Sequence, residues 1–255
     1  MELTEKETKD NHENSFNTCD AAKLVDAYFE FVFTSHFGAC GKEDRYFLAE
    51  ELLSLINRAT LTENDKPSPV SESIFSALPD IQKQLFDDAL YIFASDPAAD
   101  SVDEVISAYP GFYATAVYRL AHLFYLERLK ISARIISEIA HSRAGIDIHP
   151  GAKIGSPFAI DHGNGIVIGE SAEIGNNVSL YHGVTLGAKR SVLDENGKII
   201  KIGKRHPTIG NNCIICANAT ILGGDTVVGD NCIIGANVMI THSIDPGKII
   251  SINQK

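Results

Sequence analysis

The sequence lacks any excess of positive charge. Its 22 lysines and arginines stand against 33 acidic residues, which gives a formal net charge of -11 at pH 7. Such a chain has no global positive field to hold a nucleic-acid backbone, and its basic residues form no long tail. We therefore expect no nucleic-acid partner.

A long apolar run is also missing. No stretch approaches the roughly 20 apolar residues that cross a bilayer. The start of the chain, MELTEKETKDNHENSF, does not have the basic-then-apolar layout of a signal peptide. We expect no membrane association and a cytoplasmic location.

The five cysteines do not form a disulfide framework, since their number is odd and their spacing irregular. Reduced thiols in a reducing compartment fit this pattern better than disulfides. Cys213 and Cys216 form a lone CxxC within a repeat where neighbouring units carry Ala, Ile or Leu. Because there is no second CxxC, we interpret them as small buried hydrophobic residues and expect no metal.

The first half of the chain has helical periodicity. Leu24, Ala27 and Tyr28 form one apolar stripe, and Pro-containing segments such as TENDKPSPVS separate successive stripes. We predict a mobile acidic end over residues 1–18 and an all-helical domain over residues 19–145.

After Gly145 the apolar residues recur every six positions instead. One series comprises Ile154, Ile160, Ile166, Ala172, Val178 and Val184. A second, two residues out of phase, comprises Ile168, Ile174, Leu180 and Leu186, and it resumes as Ile209, Ile215, Ile221, Val227, Ile233 and Met239.

A six-residue period predicts short parallel strands stacked as a solenoid, with three hexads in each coil of about 18 residues. The aliphatic side chain of each hexad then points inward and stacks on its equivalent about 4.8 Å away. An ordinary sandwich would instead require alternation of period two. We therefore predict an α+β protein with a parallel β-helix over residues 146–242 and a short tail over residues 243–255.

A basic segment, residues 187–205, interrupts the hexads. Its central Glu-Asn-Gly-Lys predicts the turn of a hairpin that projects from the solenoid. A solvated basic loop is the ordinary interpretation, but this one leads directly to candidate site residues. Its charged residues are Lys189, Arg190, Lys198, Lys201, Lys204 and Arg205, with Asp194 and Glu195.

His162 is the strongest candidate for a chemical role, because acids and glycines surround it rather than packing residues. Asp147 precedes it by a little less than one coil of three hexads, which allows the carboxylate to approach His162 from the adjacent rung. A carboxylate on one imidazole nitrogen would leave the other free to act as a general base. A packed histidine remains an equal alternative on spacing alone.

Motifs for other chemistries are missing. The sequence has no Gly-x-Ser-x-Gly elbow, no dinucleotide fingerprint of the correct spacing and no Walker-type phosphate loop. Direct transfer from a bound donor to a deprotonated hydroxyl is the reaction type that remains.

The sequence also contains a set of short motifs with which known families can be compared. They are DPAAD from Asp96, GFYA from Gly111, YRLAH from Tyr118, DIHP from Asp147, DHGNGIVIGE from Asp161 and RHP from Arg205. Over roughly residues 80–240 they resemble the bacterial and plant serine acetyltransferases, a branch of the hexapeptide-repeat acyltransferases. The helical motifs and the Arg-His-Pro motif separate this branch from sugar and antibiotic acetyltransferases of the same fold.

The resemblance implies transfer of acetyl from acetyl-CoA to the hydroxyl of L-serine, giving O-acetyl-L-serine and CoA, the activating step of L-cysteine biosynthesis. It implies that His162 is the general base and that Asp147 completes a dyad. The other implied site residues are Asp96 and Asp161 for the substrate ammonium, Arg205 and His206 for its carboxylate, and Gly187, Ala188 and Ala217 for CoA.

A left-handed β-helix and a homotrimer with sites between neighbouring β-helices are also implied. Two trimers would pair through the helical domain, and L-cysteine would be a feedback inhibitor. The chain departs from the family in its long basic loop and after Met239, where THSIDPGKIISINQK lacks the usual Ala-Gly-x-Pro-Ala segment and isoleucine-ended tail. Because that tail docks into the next enzyme of the pathway, we expect no cysteine synthase complex.

Three alternatives stay open. The acceptor could be a sugar, a homoserine or an antibiotic hydroxyl. A zinc carbonic anhydrase on the same β-helix would need a close His-x4-His pair, which does not occur in the sequence. A non-catalytic scaffold would not need to retain Asp147, His162 and Arg205 together.

Overall fold

The computed structural model describes residues 16–33, 42–60, 67–189 and 203–252. The acidic start of the chain and the centre of the basic segment, with its predicted hairpin turn, lie outside the described residues. Within the described ranges, helices come first and short strands follow.

The helices end where local sequence stops them. Ser68 caps one helix by accepting from the Ser71 backbone N–H at 3.1 Å, and Gly145 ends the last helix with a left-handed φ of 67°. Their bounds are α1 Thr18–Phe33, α2 Lys42–Ala59, α3 Pro69–Ser76, α4 Leu78–Ser95, α5 Val102–Ala108, α6 Pro110–Leu126 and α7 Lys130–Ala144.

The strands form three parallel sheets that enclose a prism. The strands are β1 Asp147–Ile148, β2 Lys153–Ile154, β3 Phe158–Asp161, β4 Val167–Ile168, β5 Glu173–Ile174, β6 Val178–Tyr181, β7 Thr185–Gly187, β8 Thr208–Ile209, β9 Ile214–Ile215, β10 Thr220–Leu222, β11 Val227–Val228, β12 Ile233–Ile234, β13 Met239–Ile240 and β14 Ile249–Ile250. Sheet A has the order β1-β4-β7-β10-β13, sheet B the order β11-β8-β5-β2, and sheet C the order β14-β12-β9-β6-β3. The parallel solenoid predicted from the hexads is therefore confirmed.

Two edges of this prism are important for function. The C/A corner is the edge where each strand of sheet C leads to sheet A, and it contains residues 162–166, 182–184, 216–219 and 235–238. The A/B corner is the edge where sheet A leads to sheet B, and it contains residues 149–152, 169–172, 188–189, 203–207 and 223–226.

The coils do not all have the predicted length. Ile168 pairs with Leu186, three hexads further along the chain, as expected. In the first coil, however, Asp147 pairs with Val167, which lies two positions beyond three hexads, because the C/A corner is longer by two between β3 and β4.

The inward phase predicted for the last coils is wrong. Val227 and Met239 are 44% and 65% exposed, whereas the residue that follows each of them, Val228 or Ile240, is buried. Ile234, which follows Ile233, is buried as well. Ile221 pairs with Ile240, one position beyond three hexads, because the corner at Gly223 and Gly224 is longer by one than a strict hexad. In every following strand, the residue that faces inward therefore lies one position later than the hexads predict.

A buried ion pair fixes the helical half to the first coil. Arg119 on α6 donates to Asp88 on α4 at 2.8 Å, and both side chains are at most 4% exposed. Asp88 also accepts from the Phe158 backbone N–H at 2.8 Å, and Arg119 donates to the Gly155 carbonyl at 2.9 Å. Because β3 begins at Phe158 and ends at Asp161, this network positions the strand that precedes His162.

The cysteines in the described part of the chain are free thiols, and Cys213 lies fully in the prism while Cys216 is half-buried. Across the same residues, every helix falls short of the length and apolar character that a membrane span requires.

Candidate active site

His162 lies on the long first turn of the C/A corner. Its backbone is left-handed, with a φ of 58°, which is uncommon for a residue other than glycine. The Gly163 N–H donates to the Asp161 carbonyl at 2.7 Å and the Gly165 N–H to the Gly145 carbonyl at 2.9 Å. These bonds hold the turn, so the imidazole projects from a rigid position.

The His162 side chain is 75% exposed, which excludes the interpretation as a packed core histidine. Its Nε2 lies 3.9 Å from the Asp161 carboxylate. On the next rung of the same corner, the His182 ring meets it edge to face, with 5.9 Å between the ring centroids. The Nδ1 of His182 is buried and has no hydrogen-bond partner among the described residues.

Asp96 reaches this corner from the end of α4. Its carboxylate accepts from the Tyr109 hydroxyl at 2.7 Å and from the Ala98 backbone N–H at 2.8 Å. These two hydrogen bonds lower the pKa of Asp96 below its usual range, so the carboxylate is ionised at neutral pH. Asp96 and Asp161 line one small cavity together with Tyr181.

Asp147 borders the C/A corner, where its backbone N–H donates to the Ile166 carbonyl at 2.9 Å. It begins β1 of sheet A, and its carboxylate lies 3.8 Å from Arg134 of α7, close to Glu138 and His141. Among the described residues no ion pair joins Asp147 to His162. The dyad stays a prediction.

Arg205 and His206 form a second cluster at the A/B corner. The guanidinium of Arg205 donates to Glu170, whose other carboxylate oxygen accepts from the Tyr125 hydroxyl at 2.8 Å. His206 is 8% exposed, and its Nδ1 lies 2.9 Å from the hydroxyl of Ser171. Burial, and then the positive charge of Arg205, lower the pKa of His206 to about 4, so its ring is neutral at physiological pH.

The two clusters therefore occupy opposite edges of sheet A. Asp96, Asp161 and His162 are at the C/A corner, whereas Arg205 and His206 are at the A/B corner. The residues implied for CoA divide in the same way: Gly187 ends β7 and Ala188 begins the A/B corner beside it, whereas Ala217 lies at the C/A corner, one rung beyond His182. A single chain does not bring all the implied site residues together.

The chemistry of the two clusters is complementary. The C/A corner offers an exposed imidazole beside two carboxylates, which can accept a proton and attract a cation. The A/B corner offers a guanidinium and an imidazole, which can donate to a carboxylate.

Sequence reasoning did not identify four residues of these clusters. Glu170 and Ser171 lie one rung from Arg205 and His206, a relation that the long basic segment between them conceals. His162 and His182 occupy equivalent positions on neighbouring coils. The sequence could have shown this only if the longer first coil had been recognised. Tyr109 carries no signal beyond its place before Pro110, the first residue of α6.

A parallel β-helix with an exposed base at one corner agrees with the class of hexapeptide-repeat acyltransferases. Residues 206–242 match the family profile described as bacterial transferase hexapeptide (six repeats). This match agrees with the three-sheet prism and with its coils of three hexads, some of them slightly longer.

The solved structures narrow that class. The serine acetyltransferase 1 of Entamoeba histolytica, in complex with L-cysteine, has a TM-score of 0.83 and 35% identity, covering 90% of this chain and 86% of that one. The serine acetyltransferase of Neisseria gonorrhoeae, in complex with serine, has a TM-score of 0.64 and 27% identity, covering 96% and 99%.

Relatives in sequence point the same way. The plasmid serine acetyltransferase of Synechococcus elongatus is 47% identical over 184 residues, or 72% of this chain and 57% of its own length. The serine acetyltransferase of Bacillus licheniformis is 44% identical over 181 residues, or 68% and 79%. The chain thus spans a little over half of the first relative and over two thirds of the second. It belongs to the serine acetyltransferase family, and its solenoid is the left-handed β-helix of that family.

Proposed function

We propose that the chain transfers the acetyl group of acetyl-CoA to the hydroxyl of L-serine, giving O-acetyl-L-serine and CoA. The observation that carries this proposal is the placement of His162, whose exposed imidazole lies on a rigid corner beside Asp96 and Asp161. Membership of the serine acetyltransferase family supports the choice of reaction.

The proposed reaction has one base and one direct transfer. The neutral imidazole of His162 takes the proton of the serine hydroxyl as its oxygen attacks the thioester carbonyl of acetyl-CoA. A tetrahedral intermediate forms and collapses when the carbon–sulfur bond breaks. The CoA thiolate then takes up the proton from His162, so no charge accumulates over the cycle.

The charges of the site favour a zwitterionic acceptor. We assign Asp96 and Asp161 to the substrate ammonium and Arg205 and His206 to its carboxylate. The ionised state of Asp96 and the neutral state of His206 support this division, because the first attracts a cation and the second can donate without adding charge. A sugar hydroxyl offers neither the ammonium nor the carboxylate that these charges match.

The separation of the two clusters supports a shared site. We propose that the C/A corner of one copy meets the A/B corner of the next in a homotrimer. Contact between two different patches is heterologous, and it closes into a ring when the rotation permits. The exposed apolar residues Val167 and Met239 on the outer face of sheet A are suited to such an interface. Pairing of two trimers through the helices remains part of the proposal.

Acetyl-CoA would lie along the same groove between copies. Gly187 and Ala188 on one side and Ala217 on the other offer little side-chain bulk to a long ligand. The basic residues near the loop, Lys189 and Lys204, are suited to its phosphates. We assign these contacts as proposals together with the shared site.

L-Cysteine is expected to compete with L-serine. It has the same ammonium and carboxylate and differs by sulfur in place of oxygen, so the groups assigned to the zwitterion would bind it as well. The complex of the Entamoeba histolytica relative with L-cysteine supports binding of this amino acid.

An assay of thiol release tests the proposed function. Purified protein is mixed with acetyl-CoA and with L-serine, L-homoserine or a panel of sugars, and free CoA is measured with a thiol reagent. We expect L-serine to be the preferred acceptor and added L-cysteine to inhibit the reaction. An equal rate with homoserine, or a preference for a sugar, would overturn the assignment of substrate.

A further inference from the structure

Residues 170–171 and residues 205–206 face each other across neighbouring coils of the A/B corner. Glu173 pairs with Thr208 in sheet B, so Glu170 lies one rung below Arg205 and Ser171 one rung below His206. The long loop separates the two pairs in sequence, but the stacking of the coils brings them together. Five hydrogen bonds join them.

The hydroxyl of Ser171 is the centre of these contacts. It accepts from the backbone N–H of Arg205 at 2.9 Å and from the backbone N–H of His206 at 3.1 Å. With both acceptor positions used, its own proton is directed to Nδ1 of His206, 2.9 Å away. The backbone N–H of Ser171 also donates to Nδ1, at 3.1 Å.

These bonds determine which nitrogen of His206 carries the proton. Because Nδ1 accepts from a backbone N–H, the neutral ring must carry its proton on Nε2. The described residues offer no hydrogen-bond acceptor to Nε2. His206 therefore presents a single N–H donor, and Ser171 fixes its tautomer.

Arg205 is held by Glu170, the residue that precedes Ser171. Its guanidinium donates to Glu170, and Tyr125 donates to the other oxygen of that carboxylate at 2.8 Å. The backbone of Arg205 is fixed by Ser171 and its side chain by Glu170. The two donors of the A/B corner thus depend on residues 170–171.

Gly169 explains why the ring lies where it does. A Cβ at this position would lie 2.0 Å from Cδ2 and 2.1 Å from Nε2 of His206. Its φ is not in the left-handed region, so the backbone would tolerate alanine, and the three nearest atoms to the added Cβ all belong to the imidazole. The sequence Gly169-Glu170-Ser171 is therefore shaped around Arg205 and His206 on the next coil.

We propose that Ser171 is a positioning residue for the acceptor carboxylate: it sets the backbone of Arg205 and the tautomer of His206, so that both donors face one carboxylate. This proposal rests on the proposed function, which gives that carboxylate to L-serine. Preorganised donors bind with less loss of conformational freedom, so the effect should fall on the affinity for L-serine.

Steady-state kinetics of Ser171→Ala test the proposal. We expect the KM for L-serine to rise about tenfold, since a hydrogen bond to a buried group contributes on the order of 1.4 kcal/mol, while kcat and the KM for acetyl-CoA change less than about twofold. Ser171→Thr keeps the hydroxyl and should restore the KM. L-Serinamide has no carboxylate, and its KM should not respond to Ser171→Ala.

Two further variants separate positioning from stability. Ser243→Ala removes a hydroxyl that accepts the Val227 backbone N–H at 3.1 Å further along the solenoid, and it should leave the KM for L-serine unchanged. Gly169→Ala displaces His206 without touching Ser171 and should raise the same KM. An equal rise for L-serine and L-serinamide, or no rescue by threonine, would overturn the proposal.

The tautomer of His206 gives a readout that does not need turnover. Nitrogen NMR of histidine-labelled protein should show His206 protonated at Nε2, and this signature should persist in Ser171→Ala, because the backbone N–H of residue 171 still donates to Nδ1. Protonation at Nδ1 in the wild-type protein would contradict the role of Ser171. A wild-type protein that releases no thiol with L-serine, but retains this signature, would overturn the proposed function and not the hydrogen-bond network.

Discussion

The two corners that flank sheet A are built from the same six-residue repeat, yet they hold their functional groups in different ways. At the C/A corner, two additional residues push His162 outward on a left-handed backbone. At the A/B corner, a long insertion returns to the solenoid with Arg205 and His206 held by hydrogen bonds from the coil below.

The difference shows where chemistry enters a repetitive fold. A strict coil of three hexads places an aliphatic residue in each inward position and leaves its corners to glycine, asparagine and aspartate. Both candidate clusters lie where the coil departs from that length. The C/A corner exposes a base to solvent, and the A/B corner buries a donor, so the two corners should respond differently to the same kinds of change.

Removal of the imidazole at the C/A corner should have the largest effect. His162→Ala should lower kcat by about 10²–10⁴-fold, because that is the usual contribution of a general base. His242→Ala removes an exposed histidine of the last coil and is the matched control. Thiol release measures both variants, and near-normal turnover of His162→Ala would refute the assignment.

The loss of one carboxylate should come next. Asp96→Asn should raise the KM for L-serine by about 10- to 100-fold, because a hydrogen bond to a charged group contributes roughly 1.5–3 kcal/mol. Asp100→Asn, in the same DPAAD motif but exposed, is the control. An unchanged KM in Asp96→Asn would contradict the assignment of the substrate ammonium to the C/A corner.

Much of this arrangement was predictable from the sequence. The hexads predicted the solenoid, and acids and glycines around His162 predicted an accessible imidazole. The change of inward phase after Ile221 was not predictable. One additional residue at the corner of Gly223 and Gly224 shifts the later strands, but the apolar residues still recur every six positions before and after it. The length of the first coil was not predictable either, because no period of six can reveal its two additional residues.

The long turn at the C/A corner should be sensitive to bulk at one glycine and less so at another. Gly163→Ala places a Cβ 2.4 Å from Ile146, while a Cβ at Gly165 has its nearest neighbour at 3.7 Å. Both have a positive φ, which costs about 1–2 kcal/mol for alanine. Overpacking should add roughly 1–3 kcal/mol for Gly163→Ala alone.

Denaturant unfolding measures this difference. We expect Gly163→Ala to be less stable than Gly165→Ala and to lower kcat as well, because the turn carries His162. Equal stabilities would mean that the corner adjusts to the added methyl group. The claim that His162 projects from a rigid turn would then be wrong.

Acid should affect the A/B corner through the buried ring of His206. Burial and the charge of Arg205 lower its pKa to about 4, below the usual 6.5. Between these values the folded state binds fewer protons than the unfolded state, so stability is full above about pH 6.5 and falls as the pH drops towards 4.

A neutral replacement should remove that contribution. In His206→Gln the loss of unfolding free energy between pH 6.5 and 4 should be smaller than in the wild type, as measured by denaturant unfolding at several pH values. An unchanged slope would show that His206 titrates normally and is not held as a neutral donor.

Mixing of two defective chains is the most direct test of the central claim that the C/A corner of one copy works with the A/B corner of the next. His162→Ala and Arg205→Ala chains are co-assembled in equal amounts and assayed for thiol release at L-serine well below KM, with each variant alone as the reference. Random closed trimers with shared sites should recover about one quarter of wild-type activity, because one site in four then has both intact corners. Activity no higher than the average of the two separate variants would contradict the shared site.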